Sequence, residues 1–234
     1  MKFSYLSYYL TMKMKKIRFI DNQEEKFYTL FINDKNEKLV FFPVPKNANT
    51  SVRSFILDHF NQLENYEFPQ DNIPESNLFS TQSKKLNLIG AIYRSKQSFT
   101  DIKSVLNDIK LICITRDPLK RFVSAYKNRI LWHGDKEFNN YSIDDILANL
   151  EVGNFANQHF LPQSYFLGSS LKYFDFHCDV DEISKFESYI NTFFNQKKIF
   201  PRLQTGGKKM KINLTEEQIS RIKKIYKQDY NLLA

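Results

Sequence analysis

The most constraining feature of the sequence is an apolar strand pattern that runs into a polar, glycine-free turn and then an amphipathic helix. Leu39–Pro43 reads as a strand. Pro43-Val44-Pro45-Lys46-Asn47-Ala48-Asn49-Thr50-Ser51 follows. Val52, Phe55, Ile56, Phe60 and Leu63 then recur at helical spacing, which predicts a helix over 50–63. A strand delivering the chain into a helix N-terminus makes an anion site, because first-turn amides lack internal partners and the helix dipole adds positive character. Lys46 adds a full charge, and Thr50 and Ser51 add hydroxyls. The turn is not a nucleoside-triphosphate loop of the G-x-x-x-x-G-K-[ST] type, since it has no glycine and its lysine leads. On this segment alone, an ordinary helix capped by Asn49 or Thr50 remains an equal reading.

Other elements alternate around this unit. Lys26–Phe31 reads as a strand, joined to Leu39–Pro43 by a polar turn at 33–37. Leu86–Ile92 and Lys110–Thr115 read as further strands, the latter of fully buried type. Pro118 suits the first residue of a helix running to Trp132. Ser98–Asp108, 143–150 and Glu182–Asn195 read as helices, and Leu171–Phe176 as a strand. Thr215 and Gln218 form a capping box that opens a C-terminal helix with Ile219, Ile222, Tyr226 and Leu233 on one face. The alternation predicts an α/β domain with a mostly parallel central sheet flanked by helices, one domain over 1–234.

A second motif is Arg116-Asp117-Pro118-Leu119-Lys120-Arg121-Phe122-Val123-Ser124-Ala125-Tyr126. Arg116 falls at the C-terminal end of a buried strand, where ligands bind in open α/β sheets. A guanidinium suits phosphate bidentately, and a serine two turns into the helix completes such a contact. The plain alternative is that Arg116 pairs with a nearby acid and Arg121 lies on the surface.

Charge and cysteine content narrow the class. The 234 residues carry net charge +8, concentrated in two segments: residues 1–20 hold five Lys or Arg and no acid, and 197–211 hold six and no acid. Separate basic segments suit an anionic ligand, a membrane surface or nucleic acid, and charge alone does not choose. Two cysteines, Cys113 and Cys178, exclude a disulfide scaffold, and four scattered histidines form no metal-ligand pattern. The start of the chain is a poor signal peptide, and no apolar run is long enough to span a bilayer, so a cytoplasmic protein is expected.

Taken together, P-K-x-x-x-T-S at Pro45–Ser51 and R-D-P-x-x-R-x-x-S-x-Y at Arg116–Tyr126 resemble the carbohydrate sulfotransferases. These enzymes use 3′-phosphoadenosine-5′-phosphosulfate (PAPS), and the match is nearest the branch with the chondroitin and HNK-1 enzymes. His159-Phe160-Leu161-Pro162-Gln163 resembles that family's H-x-x-P-Q element, and Glu216–Leu232 its C-terminal pattern. Residues 1–38 lie outside the resemblance, as an N-terminal extension and hairpin.

The resemblance implies a P-loop-like sulfotransferase fold, PAPS as co-substrate, no metal, and a carbohydrate or glycolipid acceptor, as in polysaccharide biosynthesis. It implies that Pro45, Lys46, Asn47, Ala48, Asn49, Thr50 and Ser51 cradle the 5′-phosphosulfate, with Lys46 on the bridging oxygen. Arg116 and Ser124 would hold the 3′-phosphate. The 201–211 segment, with Arg202, Gly206, Gly207, Lys208 and Lys209, would close over the nucleotide. Some relatives carry a histidine where this chain reads Gly90-Ala91-Ile92-Tyr93-Arg94. The expected base is therefore His159, with His59 second and better explained as a packed core residue. The competing classes are a kinase-like nucleotide transferase and a basic nucleic-acid-binding protein; no nucleic-acid-binding motif is present. The basic segment at 1–20 is expected to make peripheral contact with an anionic membrane.

Overall fold

The computed structural model describes residues 26–32, 38–59, 91–95, 109–138, 141–153, 157–203 and 210–234. The N-terminal basic segment, the 33–37 turn, the 60–90 stretch, the helix expected at 98–108, and Gly206, Gly207, Lys208 and Lys209 lie outside them.

The elements in chain order are β1 (Lys26–Ile32), β2 (Lys38–Phe42), α1 (Asn49–His59), β3 (Ala91–Ser95), β4 (Ile109–Thr115) and α2 (Pro118–Tyr126). They continue with α3 (Ile143–Glu151), α4 (Gln163–Leu167), β5 (Phe176–Asp179), α5 (Ile183–Phe194), α6 (Glu216–Ile225) and α7 (Lys227–Leu233). Among the described residues the strands form one sheet in the order β3-β1-β2-β4-β5. β2, β4 and β5 are parallel, with Phe41 opposite Ile112 and Ile114 opposite Cys178. β1 pairs antiparallel with both β2 and β3. The parallel character is thus that of the three strands that carry the site.

Those parallel strands are apolar without alternation because both their faces are covered. Leu39, Phe41, Ile112, Ile114 and Cys178 pack on one face with Val52, Phe55 and Ile56 of α1 and Phe186 and Ile190 of α5. The intervening Val40, Phe42, Leu111 and Cys113 are equally buried. A second cluster joins Phe122 and Ala125 of α2, Ile146, Leu147 and Leu150 of α3, Phe160, and Ile222 and Tyr226 of α6 and its end.

Helix starts follow their local signals. Asp117 caps α2 by accepting from the Lys120 amide, with Pro118 in the first turn. Capping boxes open α3 at Ser142 and Asp145 and α6 at Thr215 and Gln218. α2 continues to Trp132 as expected, but its last part, Lys127–Trp132, is a wider π-helical turn.

Two expectations are corrected. The stretch expected as a strand at Leu171–Phe176 is a 3₁₀ turn over Leu171–Tyr173, capped by Ser170, and the strand begins only at Phe176. Asp175 marks the change: its amide donates to the Leu111 carbonyl and its carboxylate accepts from the Leu111 amide. Of the strand expected at Leu86–Ile92, residues 86–90 lie outside the described residues, and the described strand is Ala91–Ser95. The C-terminal helix is two helices, broken at Tyr226, whose ψ of 28° leaves the helical range.

Candidate functional site

The turn after β2 achieves a tight anion-loop backbone without glycine. Lys46 and Ala48 both adopt positive φ, at 72° and 57°. Each costs of order 1 kcal/mol in a non-glycine residue, and backbone strain of this kind clusters at ligand-binding sites. Left-handed residues among ordinary ones are the kind of backbone from which anion-binding concavities are made. The Asn47 amide donates to the Val44 carbonyl at 3.1 Å, and the Val52 amide to Ala48 at 2.9 Å, which starts α1 directly behind the turn.

One cavity of about 440 Å³ is lined by Lys46, Ala48, Asn49, Thr50 and Ser51 from this turn and by Arg116 and Ser124 from the second motif. The structure therefore brings residues from the two separate motifs to one wall. Val180, Asp181 and Ile183 complete one side, and Phe200, Arg202 and Leu203 another. The charged groups on the wall are three cations, Lys46, Arg116 and Arg202, and one carboxylate, Asp181. Arg202 belongs to a strap before residue 204 that is tied to the turn, since the Leu203 amide donates to Ser51 Oγ at 3.0 Å. Pro45, Asn47 and His159 are not on the wall.

Arg116 is held for binding. Its Nη1 donates to the Lys46 carbonyl at 2.8 Å, so the second motif grips the first. Its Nε is buried and has no partner among the described residues. Burial lowers its pKa, opposed by the carboxylates of Asp181, Asp179 and Asp117, and the group stays cationic. A half-buried guanidinium with a donor to spare on a cationic cavity wall fits an oxyanion. Asp181 is also engaged by Lys120 Nζ at 2.5 Å on the exposed rim.

Behind the wall lies a buried polar frame that sequence reasoning missed. Asn47 Nδ2 donates to the Ile114 carbonyl at 2.8 Å and to Gln163 Oε1 at 2.7 Å. Arg121, open to a surface reading in sequence, is 1% exposed. Its Nε donates to the Pro45 carbonyl at 3.0 Å and its Nη2 to the His159 carbonyl at 3.3 Å.

His59 is the packed core residue its apolar neighbours suggest. It is buried, with Nδ1 2.8 Å from the Phe55 carbonyl and Nε2 2.8 Å from Asn191 Oδ1. His159 differs. Its Nδ1 lies 2.6 Å from Asn157 Oδ1, which also accepts from the His159 amide. The ring hydrogen therefore sits on Nδ1, and Nε2 is the basic nitrogen. Burial first, then the charges of Arg129, Lys46, Arg121 and His133, push its pKa down to about 2. His159 is thus neutral, close enough to Lys46 to feel its charge.

That depression has a consequence for stability. Below the ordinary histidine pKa of about 6.5, the unfolded chain takes up a proton that the folded one refuses, so folding weakens as pH falls from there toward 2. Wild type is expected to lose about 1–2 kcal/mol relative to His159→Asn between pH 7 and pH 5, allowing for solvent screening. Urea unfolding of both proteins at the two pH values measures it, and an identical pH response would exclude the effect.

Among the described residues, no group of histidine, cysteine or acidic side chains is placed to hold a metal ion, and no helix is long and apolar enough to cross a membrane.

A family model described as the sulfotransferase family matches residues 28–234. No curated protein matches the chain. Among solved structures, a sulfotransferase from Alicyclobacillus acidocaldarius is similar at 15% identity, over 82% of this chain and 93% of that one, with a TM-score of 0.45.

Proposed function

We propose, from the premise that the chain belongs to the sulfotransferase family, that it moves a sulfuryl group from PAPS to a hydroxyl of a carbohydrate or glycolipid acceptor. The observation that carries the donor reading is the single cavity walled by Lys46, Ala48, Asn49, Thr50 and Ser51 together with Arg116 and Ser124. PAPS supplies an activated sulfuryl group and two anionic ends. The turn at Pro45–Ser51 would offer first-turn amides, the Thr50 and Ser51 hydroxyls and the Lys46 ammonium for the 5′ end. Arg116 and Ser124 offer a guanidinium and a hydroxyl for the 3′-phosphate. Arg202 would add charge from the strap; Lys208 and Lys209, expected to do the same, lie outside the described residues.

The chemistry asked of these residues is positioning and charge stabilisation at an in-line displacement. Lys46 stabilises negative charge on the oxygen that leaves sulfur. His159, which is off the wall of the donor cavity, is the base proposed for the acceptor hydroxyl proton. Its low pKa in the free protein makes it a weak base, and an anion beside Lys46 offsets part of the positive field that depresses it. The acceptor assignment rests on the sequence resemblance, and the peripheral membrane contact of residues 1–20 on their five basic side chains with no acid among them.

The donor reading is tested by thermal shift. The desulfated nucleotide PAP is expected to raise the melting temperature far more than AMP, and Arg116→Ala to remove that difference. Equal responses to the two nucleotides would overturn the 3′-phosphate assignment. Transfer of labelled sulfate from PAPS to a panel of polysaccharides and glycolipids tests the acceptor class, and so separates this reading from a nucleic-acid-binding one.

A further inference from the structure

Arg116 and the Lys46 turn come from points 70 residues apart, and one side chain outside both motifs fastens them together. Gln163 is fully buried at the start of α4. Its Oε1 accepts from Asn47 Nδ2 at 2.7 Å and from the Arg116 amide at 3.0 Å, while its Nε2 donates to the Arg116 carbonyl at 2.7 Å. The side-chain amide thus pairs with both backbone groups of Arg116, as a neighbouring strand would, just past the end of β4. The same oxygen holds the turn through Asn47.

Gln163 is itself fixed from the far end of the chain. Asp229 in α7 is completely buried, and its two oxygens accept from the Gln163 amide at 2.7 Å and the Ser164 amide at 2.8 Å. Burial raises its pKa, against the lowering effect of the Arg121 charge and the two amides. A buried carboxylate is costly unless it is well bonded. Here it spends both oxygens on the backbone that carries Gln163.

We infer that Gln163, anchored by Asp229, is a positioning residue that sets the register between the Lys46 turn and Arg116, and with it the selectivity for a nucleotide bearing phosphate groups at both ends. The inference rests on the donor reading above and adds the residues that make the two halves of that site act as one. No other side chain among the described residues makes hydrogen bonds to both Asn47 and the Arg116 backbone. Without Gln163, Asn47 keeps its bond to Ile114 and Arg116 keeps its bond to Lys46, so the wall survives but loses the amide that ties the turn to the strand end.

The test compares PAP and AMP binding by calorimetry in wild type, Gln163→Leu and Asp229→Asn. Gln163→Leu keeps the volume and removes all three bonds. It is expected to weaken PAP about 10–100-fold while changing AMP less than about threefold, because a displacement near 1 Å is worth up to two orders of magnitude. Asp229→Asn presents an NH₂ group to one of the two amides it must accept from. It is expected to give the same change in ratio at about a third to a tenth of the size. If Gln163→Leu does not melt cooperatively, Gln163→Asn, which is one methylene too short to serve both partners, takes its place. A purely structural role would lower stability and weaken both nucleotides alike, so an unchanged PAP-to-AMP ratio in all variants overturns the inference. If wild type binds PAP and AMP equally, the donor reading fails and takes the inference with it.

Discussion

Lys46→Ala is expected to lower the sulfuryl-transfer kcat by about 10²–10³-fold, a loss of roughly 3–4 kcal/mol, while PAP affinity falls by no more than about tenfold. The asymmetry follows from where the lysine sits. Its backbone is held independently of its side chain, because Arg116 Nη1 donates to the Lys46 carbonyl and the next amide donates to Val44. Alanine keeps the Cβ and therefore leaves the strain of the 72° φ unchanged. On the proposed donor reading, what disappears is an ammonium beside the oxygen that gains charge as sulfur is transferred. An interaction that strengthens in the transition state shows in kcat, and one equal in both states shows in KM. Steady-state kinetics with saturating donor, together with calorimetric PAP binding, separates the two. A large loss of PAP affinity with unchanged kcat would reduce Lys46 to a ground-state ligand. Lys46→Arg should not restore the rate, since a planar fork does not reproduce a compact point charge at a bridging atom.

The strands and helices that build the cavity were legible because their causes are local. β2 and β4 are covered on both faces, so they read as apolar runs, and Asp117 with Pro118 announces α2. The cavity-lining residues Lys46, Ala48–Ser51 and Arg116 fall at junctions that such local reading locates, and Ser124 lies two turns into α2. The frame behind them was not legible, because its bonds join residues far apart: Asn47 and Gln163 are separated by 116 positions, and Gln163 and Asp229 by 66. A buried amide looks like a surface one when its partners are unknown. One signal was present, however. Pro118, Arg121, Phe122 and Ala125 form the buried stripe of α2, and Arg121 stands inside it. Asp229 likewise sits on the buried line of Ile222, Tyr226 and Leu232. A charge on an apolar helical stripe must have fixed partners, since burying it unpaired costs several kcal/mol. The misread strand at Leu171–Phe176 has the opposite cause. Its aromatic residues at 173, 174 and 176 fit a strand, but the Ser170 cap turns the chain first.

Arg121→Met is expected to destabilise the fold by on the order of 3–5 kcal/mol, although residue 121 is not on the cavity wall. Methionine fills most of the volume and keeps the contact with the apolar stripe, so the loss is electrostatic and directional. The Pro45 and His159 carbonyls lose their guanidinium donor, the first in a buried setting and the second in a part-buried one. The Asp229 carboxyl loses the positive charge that offsets its burial. A lysine cannot substitute, because one ammonium does not span two carbonyls as a rigid fork does. Against a total stability of about 5–15 kcal/mol for a domain, the loss is large enough to read directly from urea denaturation. The same substitution should raise the pKa of His159, since one of the cations that depress it is gone. The two readouts separate the roles. Unfolding without any change at His159 would make Arg121 a brace alone. A changed His159 titration in the surviving folded protein would make it also part of the field that keeps the imidazole neutral.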